Sequence, residues 1–178
     1  MRMRIATAAD GPLLAHLHTA SWRSAYRAIL DPGFLAGPIE QERLSLWAAR
    51  LAQAHPHETA IIAEIADEPI GFVCAVGAED ARWGTLIDNL HVLPGAKGRG
   101  WGTALLGAAA EWSLSAYPNS GIYLWCFEQN EPARRFYERR GGVLVERSMH
   151  EAPGGGERPV LRFHWPDPAM AFSPADRR

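Results

Sequence analysis

Lys97-Gly98-Arg99-Gly100-Trp101-Gly102-Thr103 is where this 178-residue sequence concentrates groups that could do chemistry. Three glycines alternate there with two cations and a tryptophan, between an apolar run that Pro94 stops and a second run with helical spacing. Amide protons in the first turn of a helix have no partner inside it. Together with the helix dipole they attract a phosphate. Glycine lets the backbone approach an anion and adopt positive φ, and Lys97 and Arg99 add charge beside it. The stretch therefore predicts an anion site, although the same glycines would also suit a turn that only packs a helix on a strand. Two nucleotide patterns are excluded. G-x-x-x-x-G-K-[ST] is absent, and glycines at 98, 100 and 102 do not fit G-x-G-x-x-G.

The elements that must hold this turn can be read on either side of it. Residues 2–6 suit a short strand. Thr7 can cap a helix, which the pattern carries to Leu30 with Leu13, Leu14, Leu17, Ala20, Trp22, Ala25 and Ile29 as buried positions, until Asp31-Pro32-Gly33 breaks it. A second helix spans about 39–54. Strands follow at 59–66 and 70–77, joined by a turn at 67–69, and a third at 84–92. A helix runs to about Tyr117, a strand covers 122–127, and a short helix covers 131–140 with Pro132 in its first turn. Strands at 143–150 and 159–165 complete the pattern. The fold class expected is mixed α/β (α+β): one domain over 1–165, a sheet of about six to seven strands flanked by about four helices, and a loose tail over 166–178.

Bulk properties narrow the function. A net charge of -2 gives no whole-molecule field for nucleic acid or an anionic membrane, so any anion must be held locally. Cys74 and Cys126 are too few for a disulfide framework and read as reduced core thiols. Neither the cysteines nor the seven histidines show metal spacing, and His16 and His18 read as surface residues. The N-terminus lacks the apolar core of a signal peptide and no apolar run is long enough to span a membrane. The cytoplasm is the expected compartment.

The turn and its surroundings resemble the GNAT superfamily of acyl-CoA-dependent N-acyltransferases. Leu90-His91-Val92-Leu93-Pro94 matches that family's L-x-V-x-P strand, and Lys97-Gly98-Arg99-Gly100-Trp101-Gly102 its [Q/R]-x-x-G-x-[G/A] turn, with Lys97 departing from the usual Gln or Arg. A second motif, N-x-x-A-x-x-F-Y-x-x-x-G, is matched in full by Asn130, Ala133, Phe136, Tyr137 and Gly141. The resemblance covers roughly 3–165. The stretch from Ala20 to Leu30 adds a pattern found in one loosely characterised branch.

The resemblance implies a transferase with acetyl-CoA as co-substrate, no metal, and a small-molecule or peptide amine as acceptor. A non-catalytic acyl-CoA sensor, O-acyl transfer or a longer acyl donor stay open, as does a homodimer. Backbone groups at Leu90, His91 and Val92 would hold the pantetheine arm and the acetyl carbonyl. The amides of Gly98, Arg99, Gly100, Gly102 and Thr103 would hold the diphosphate, with Lys97 nearby. Asn130 would meet the pantetheine or the sulfur side of the site, and Arg134 and Arg135 could meet the 3′-phosphate or simply be exposed helix arginines. Tyr137 matches the tyrosine that protonates departing thiolate, and could otherwise pack its helix on the sheet. For the base, the position four ahead of Leu90 is Leu86, which cannot serve. Asp88, two ahead, ranks first; alternation puts it on the face of Leu90 and Val92 unless a bulge intervenes. His91 ranks second, and water alone could suffice. Trp22 and Tyr26, four apart on one helix face, and Trp125 could line the acceptor site or belong to the core.

Overall fold

The structure, a computed structural model, describes residues 2–53 and 55–172. Seven strands form one mixed sheet in the order β1-β2-β3-β4-β5-β7-β6. They are β1 (Arg2–Ile5), β2 (Glu58–Ile65), β3 (Glu68–Asp80), β4 (Gly84–Val92), β5 (Ile122–Phe127), β6 (Val143–Glu151) and β7 (Glu157–Trp165). Among the described residues five α-helices accompany them: α1 (Gly11–Ala25), α2 (Pro32–Ala36), α3 (Ile39–Ala52), α4 (Trp101–Ala116) and α5 (Glu131–Arg139). The expected class and mixed sheet are those observed; α2, where the sequence reads only a break at Asp31-Pro32-Gly33, is a fifth helix beside the four or so expected.

Each face of the sheet buries its own apolar set. Leu105, Leu106, Ala109 and Ala110 of α4 pack with Val73, Ala75, Ile87 and Leu124, and Tyr137 of α5 joins them. The other face carries Leu14 and Leu17 of α1 and Trp47 of α3 against Ile62, Phe72 and Cys74. Each fully buried leucine among these contributes about 1.5–3 kcal/mol over an exposed one. A third, smaller cluster ties Trp22, Ile29, Phe34, Leu35 and Ile39 to Ala152 at the β6–β7 hairpin.

The first helix ends at Ala25, not at Leu30. Ile29 and Leu30 are buried as expected, but in the third cluster, and Asp31 caps α2 by accepting from the Phe34 amide at 2.7 Å. The strand expected to stop at Gly77 continues to Asp80. Of the segment read as a loose tail, Pro168–Ala171 forms a 3-10 turn with Pro168 and Ala171 buried, and it lies against α4. Residues 173–178 fall outside the described residues.

Two irregularities in the sheet open space beside β4. β4 and β5 run parallel but share only the pairs Thr85↔Ile122 and Leu86↔Tyr123. Beyond them the strands diverge, and among the described residues β4 from Asp88 onward has no ladder partner on its β5 side. On the β3 side, Cys74 pairs with Asn89 and Ala75 with Ile87, which leaves Asp88 in a bulge.

Candidate active site

The glycine turn leads into α4 as its sequence suggests. Gly98 and Gly100 take φ of +76° and +83°, and Gly100 is the residue before the first helical turn. Nothing lies within 4 Å of where a Cβ would stand at either glycine. The free amides at the front of α4 therefore look onto open space of the kind a diphosphate would fill. That space is one end of a cavity of about 470 Å³ that runs past Leu90, His91 and Val92 to Asn130 and Tyr137. Lys97, Gly98, Gly100, Gly102 and Thr103 line it; Arg99 does not.

The front of α5 forms the opposite wall. Asn130 caps the helix, its Oδ1 accepting from the Ala133 amide at 3.4 Å, while its side chain also borders the cavity. Ala133, Phe136, Tyr137 and Arg140 follow at helical spacing and share the face toward the groove. Arg134 is off that face. Its Nη1 donates to the Glu128 carbonyl at 3.0 Å, and Arg135 pairs with Glu131 at 2.5 Å. The arginines that reach the groove are Arg139 and Arg140, which the sequence motifs do not single out. A helical wheel centred on Tyr137 places Arg140 there.

A second cavity of about 220 Å³ opens where β4 and β5 diverge. Its walls include Trp22, Tyr26, Trp125 and Phe127, with Asp88, Asn89, His91 and His150 contributing polar groups. Tyr26, Leu90, His91 and Tyr137 border both cavities, so the two spaces meet at the diverging strands. Trp22, Tyr26 and Trp125, each readable as core or as lining, thus come together in one place.

The two candidate bases are both engaged. The bulge breaks the alternation of β4, so Ile87 joins Leu90 and Val92 on the α4 side while Asp88 turns toward α3. Asp88 Oδ2 accepts from Arg50 Nη1 at 2.5 Å and from Asn89 Nδ2 at 2.7 Å. His91 Nε2 accepts from the Trp22 indole at 3.3 Å, which occupies its lone pair and fixes its proton on Nδ1. Burial, reinforced by the Lys97 and Arg43 charges, pushes His91 down to about 3. The ring is neutral at physiological pH, with its basic nitrogen spoken for.

His18, expected at the surface, is 1% exposed. Its Nδ1 accepts from the Trp47 indole at 3.1 Å and its ring centroid lies 4.7 Å from that of His91. Burial pushes it far below its ordinary value, so it too is neutral. Arg43 lies over the Trp22 ring at 4.8 Å, and Ser21 Oγ donates to the Val92 carbonyl at 3.2 Å. These contacts fix α1 against the end of β4.

Residues 19–142 match the family model described as the Acetyltransferase (GNAT) family. A probable N-acetyltransferase, Rv2775, of Mycobacterium tuberculosis is 32% identical over 163 residues, which span 88% of this chain and 87% of the relative. The chain belongs to the acetyltransferase (GNAT) family. It is therefore an acyltransferase that works with acetyl-CoA. Solved structures agree on the fold. PaiA N-acetyltransferase from Thermoplasma acidophilum, in complex with coenzyme A, aligns with a TM-score of 0.70 at 16% identity over 93% of this chain and 100% of that one. YncA from Salmonella typhimurium, with its cofactor acetyl-CoA, aligns at 0.63 with 15% identity over 93% and 92%. Among the described residues of this acetyltransferase no group of three or more His, Cys, Asp or Glu could hold a metal ion, and no helix is long and apolar enough to cross a membrane.

Proposed function

We propose that the protein moves the acetyl group of acetyl-CoA to a primary amine of a small molecule or peptide, by direct attack of the amine on the thioester. The observation that carries this reading is the meeting of the two cavities at Tyr137. The larger cavity takes the donor: diphosphate on the amides from Gly98 to Thr103, pantetheine along Leu90–Val92 and past Asn130. The smaller, aromatic-walled cavity takes the acceptor. At about 30 Å³ per water, its volume suits a small amine or the end of a side chain. Aromatic faces attract an alkylammonium.

The divergence of β4 from β5 supports the electrostatic part of the reaction. A β4 amide without a ladder partner is a donor already in place for the oxyanion that develops as the amine adds, commonly the largest catalytic contribution. Tyr137 supplies the proton for the departing thiolate. Its side chain is buried, and burial, with Cys126 and Tyr26 nearby, raises it well above the ordinary phenol value. It is thus protonated and able to donate. The Cys126 thiol, packed in the same buried cluster, is likewise pushed up by burial, so these surroundings favour the neutral form of a thiol as they do that of the phenol.

Release of free thiol from acetyl-CoA, measured across a panel of primary amines, tests the reading. Amine-dependent release supports it. Tight acetyl-CoA binding with no release on any amine makes the protein an acyl-CoA sensor instead.

A further inference from the structure

The reaction needs a group that takes a proton from the acceptor, since an alkylammonium has no lone pair with which to attack. Asp88 Oδ2 is engaged by Arg50 and Asn89, and the basic nitrogen of His91 is held by Trp22. We propose that His150 of β6 is the general base. The assignment rests on the reading that the smaller cavity holds an acceptor amine.

Four observations lead to it. Ser148 pairs with Val160 across the β6–β7 ladder, and Val160 faces the cavity, so alternation points His150 the same way. The imidazole is partly buried and borders the cavity directly. Among the described residues neither of its ring nitrogens is hydrogen-bonded, whereas one ring nitrogen each of His18 and His91 accepts from the indole of Trp47 or Trp22. Finally, the ring stands 4.5 Å from that of Trp125, which the Arg162 guanidinium covers at 4.4 Å. Arg162 is itself held by Asp80 at 3.4 Å and Glu146 at 3.0 Å, the latter out of line for a hydrogen bond and so a charge contact. The wall that positions the imidazole is therefore braced.

The chemistry balances. Neutral His150 takes one proton from the ammonium, directly or through one water. The nitrogen lone pair so released forms the N–C bond at the acetyl carbonyl. Collapse breaks the C–S bond, the thiolate takes the proton of Tyr137, and the phenolate recovers one from the nitrogen as the amide forms. The products are the acetylated amine, free coenzyme A and one proton on His150, which returns to solvent. Imidazole suits this work because one ring nitrogen can accept a proton while the other holds one. The charged and titratable groups around it are Arg158, directly opposite on β7, Asp88 and His91 on β4, Tyr26 beside α1, Tyr137 on α5, and Glu151 next in its own strand.

The test compares wild type with His150→Gln, His150→Ala and Asp88→Asn, using an amine that the wild type accepts. Both His150 variants should bind acetyl-CoA with unchanged heat by calorimetry yet lose about 10²-fold or more in kcat/KM at pH 7. Their deficit should narrow as pH rises toward the amine's own pKa, where free amine no longer needs a base. Added imidazole should restore turnover to His150→Ala. Asp88→Asn should keep the wild-type shape of the pH profile. Full activity in His150→Gln with an unaltered acid limb, or loss of that limb in Asp88→Asn instead, overturns the proposal. A wild type that releases no thiol with any amine removes the proposed function itself and is recognisable as that separate failure.

Discussion

At the scale of single residues, the proposed reaction gives Tyr137 and Gly100 separable parts. Tyr137→Phe keeps the ring that packs against Phe163 and removes only the hydroxyl. It should slow turnover about 10²-fold while acetyl-CoA affinity stays within about threefold, roughly 0.65 kcal/mol; thiol release and calorimetry read the two effects. Unchanged turnover would leave Tyr137 a packing residue. Gly100→Glu tests the other part. A side chain at this position points into open space, so the fold has room for it, although a non-glycine residue at positive φ costs about 1 kcal/mol. The added carboxylate would stand at the diphosphate, and calorimetry should detect no acetyl-CoA binding in a protein whose circular dichroism is that of the wild type. The geometry of the proposed donor side is legible from residues because its instructions are local: glycines where φ is positive, and a helix that begins at the next position. The acceptor side is not. His18 looks like a surface residue along its own helix, and only Trp47, arriving from α3, shows why it is buried. Asp88 looks like a base on a regular strand, and only the partner strand shows the bulge.

At the scale of elements, α5 shows why a motif can be matched while one of its neighbours is misplaced. Its groove face centres on Ala133, Phe136, Tyr137 and Arg140, with Pro132 and Arg139 at its edges, and Arg134 falls outside it, its guanidinium held at the Glu128 carbonyl. The start of this helix depends on Asn130. Asn130→Ala should remove the cap at a cost of about 1 kcal/mol and lower Tm by about 2–4 °C, with a loss of acetyl-CoA affinity in addition, because the side chain also borders the groove. Thermal unfolding with and without acetyl-CoA separates the two. Strands and helices can be placed from the sequence because proline and glycine punctuate nearly every apolar run. The pattern overruns the end of α1 because Ile29 and Leu30 continue the apolar spacing past Ala25, yet they serve the cluster around Phe34 and Ala152.

At the scale of the whole molecule, acid should be a selective denaturant. His18 and His91 are neutral in the fold, whereas in the unfolded chain they take up protons near the ordinary value of 6.5. Below that pH the unfolded state binds more protons, so stability falls as pH falls, by about 1.4 kcal/mol per pH unit for each group. The His91 contribution runs out near pH 3. Asp10 adds to this at lower pH. The Arg4 guanidinium, at 2.7–2.8 Å, holds its carboxylate well below the ordinary value of 3.8, so the stability it gives is present above that pH and is lost below it. Urea unfolding from pH 8 to pH 4 should show the decline, and His18→Gln should flatten it by about one proton. The junction between β4 and β5 matters at this scale too, because it rests on only two residue pairs. A sheet joined there by so few hydrogen bonds is two smaller sheets meeting along a seam, and a ligand lying across that seam acts as a clasp. Those amide protons of β4 beyond Leu86 and of β5 beyond Tyr123 that face the gap should exchange with deuterated solvent faster than those of β2 and β3, and slow together once acetyl-CoA spans it.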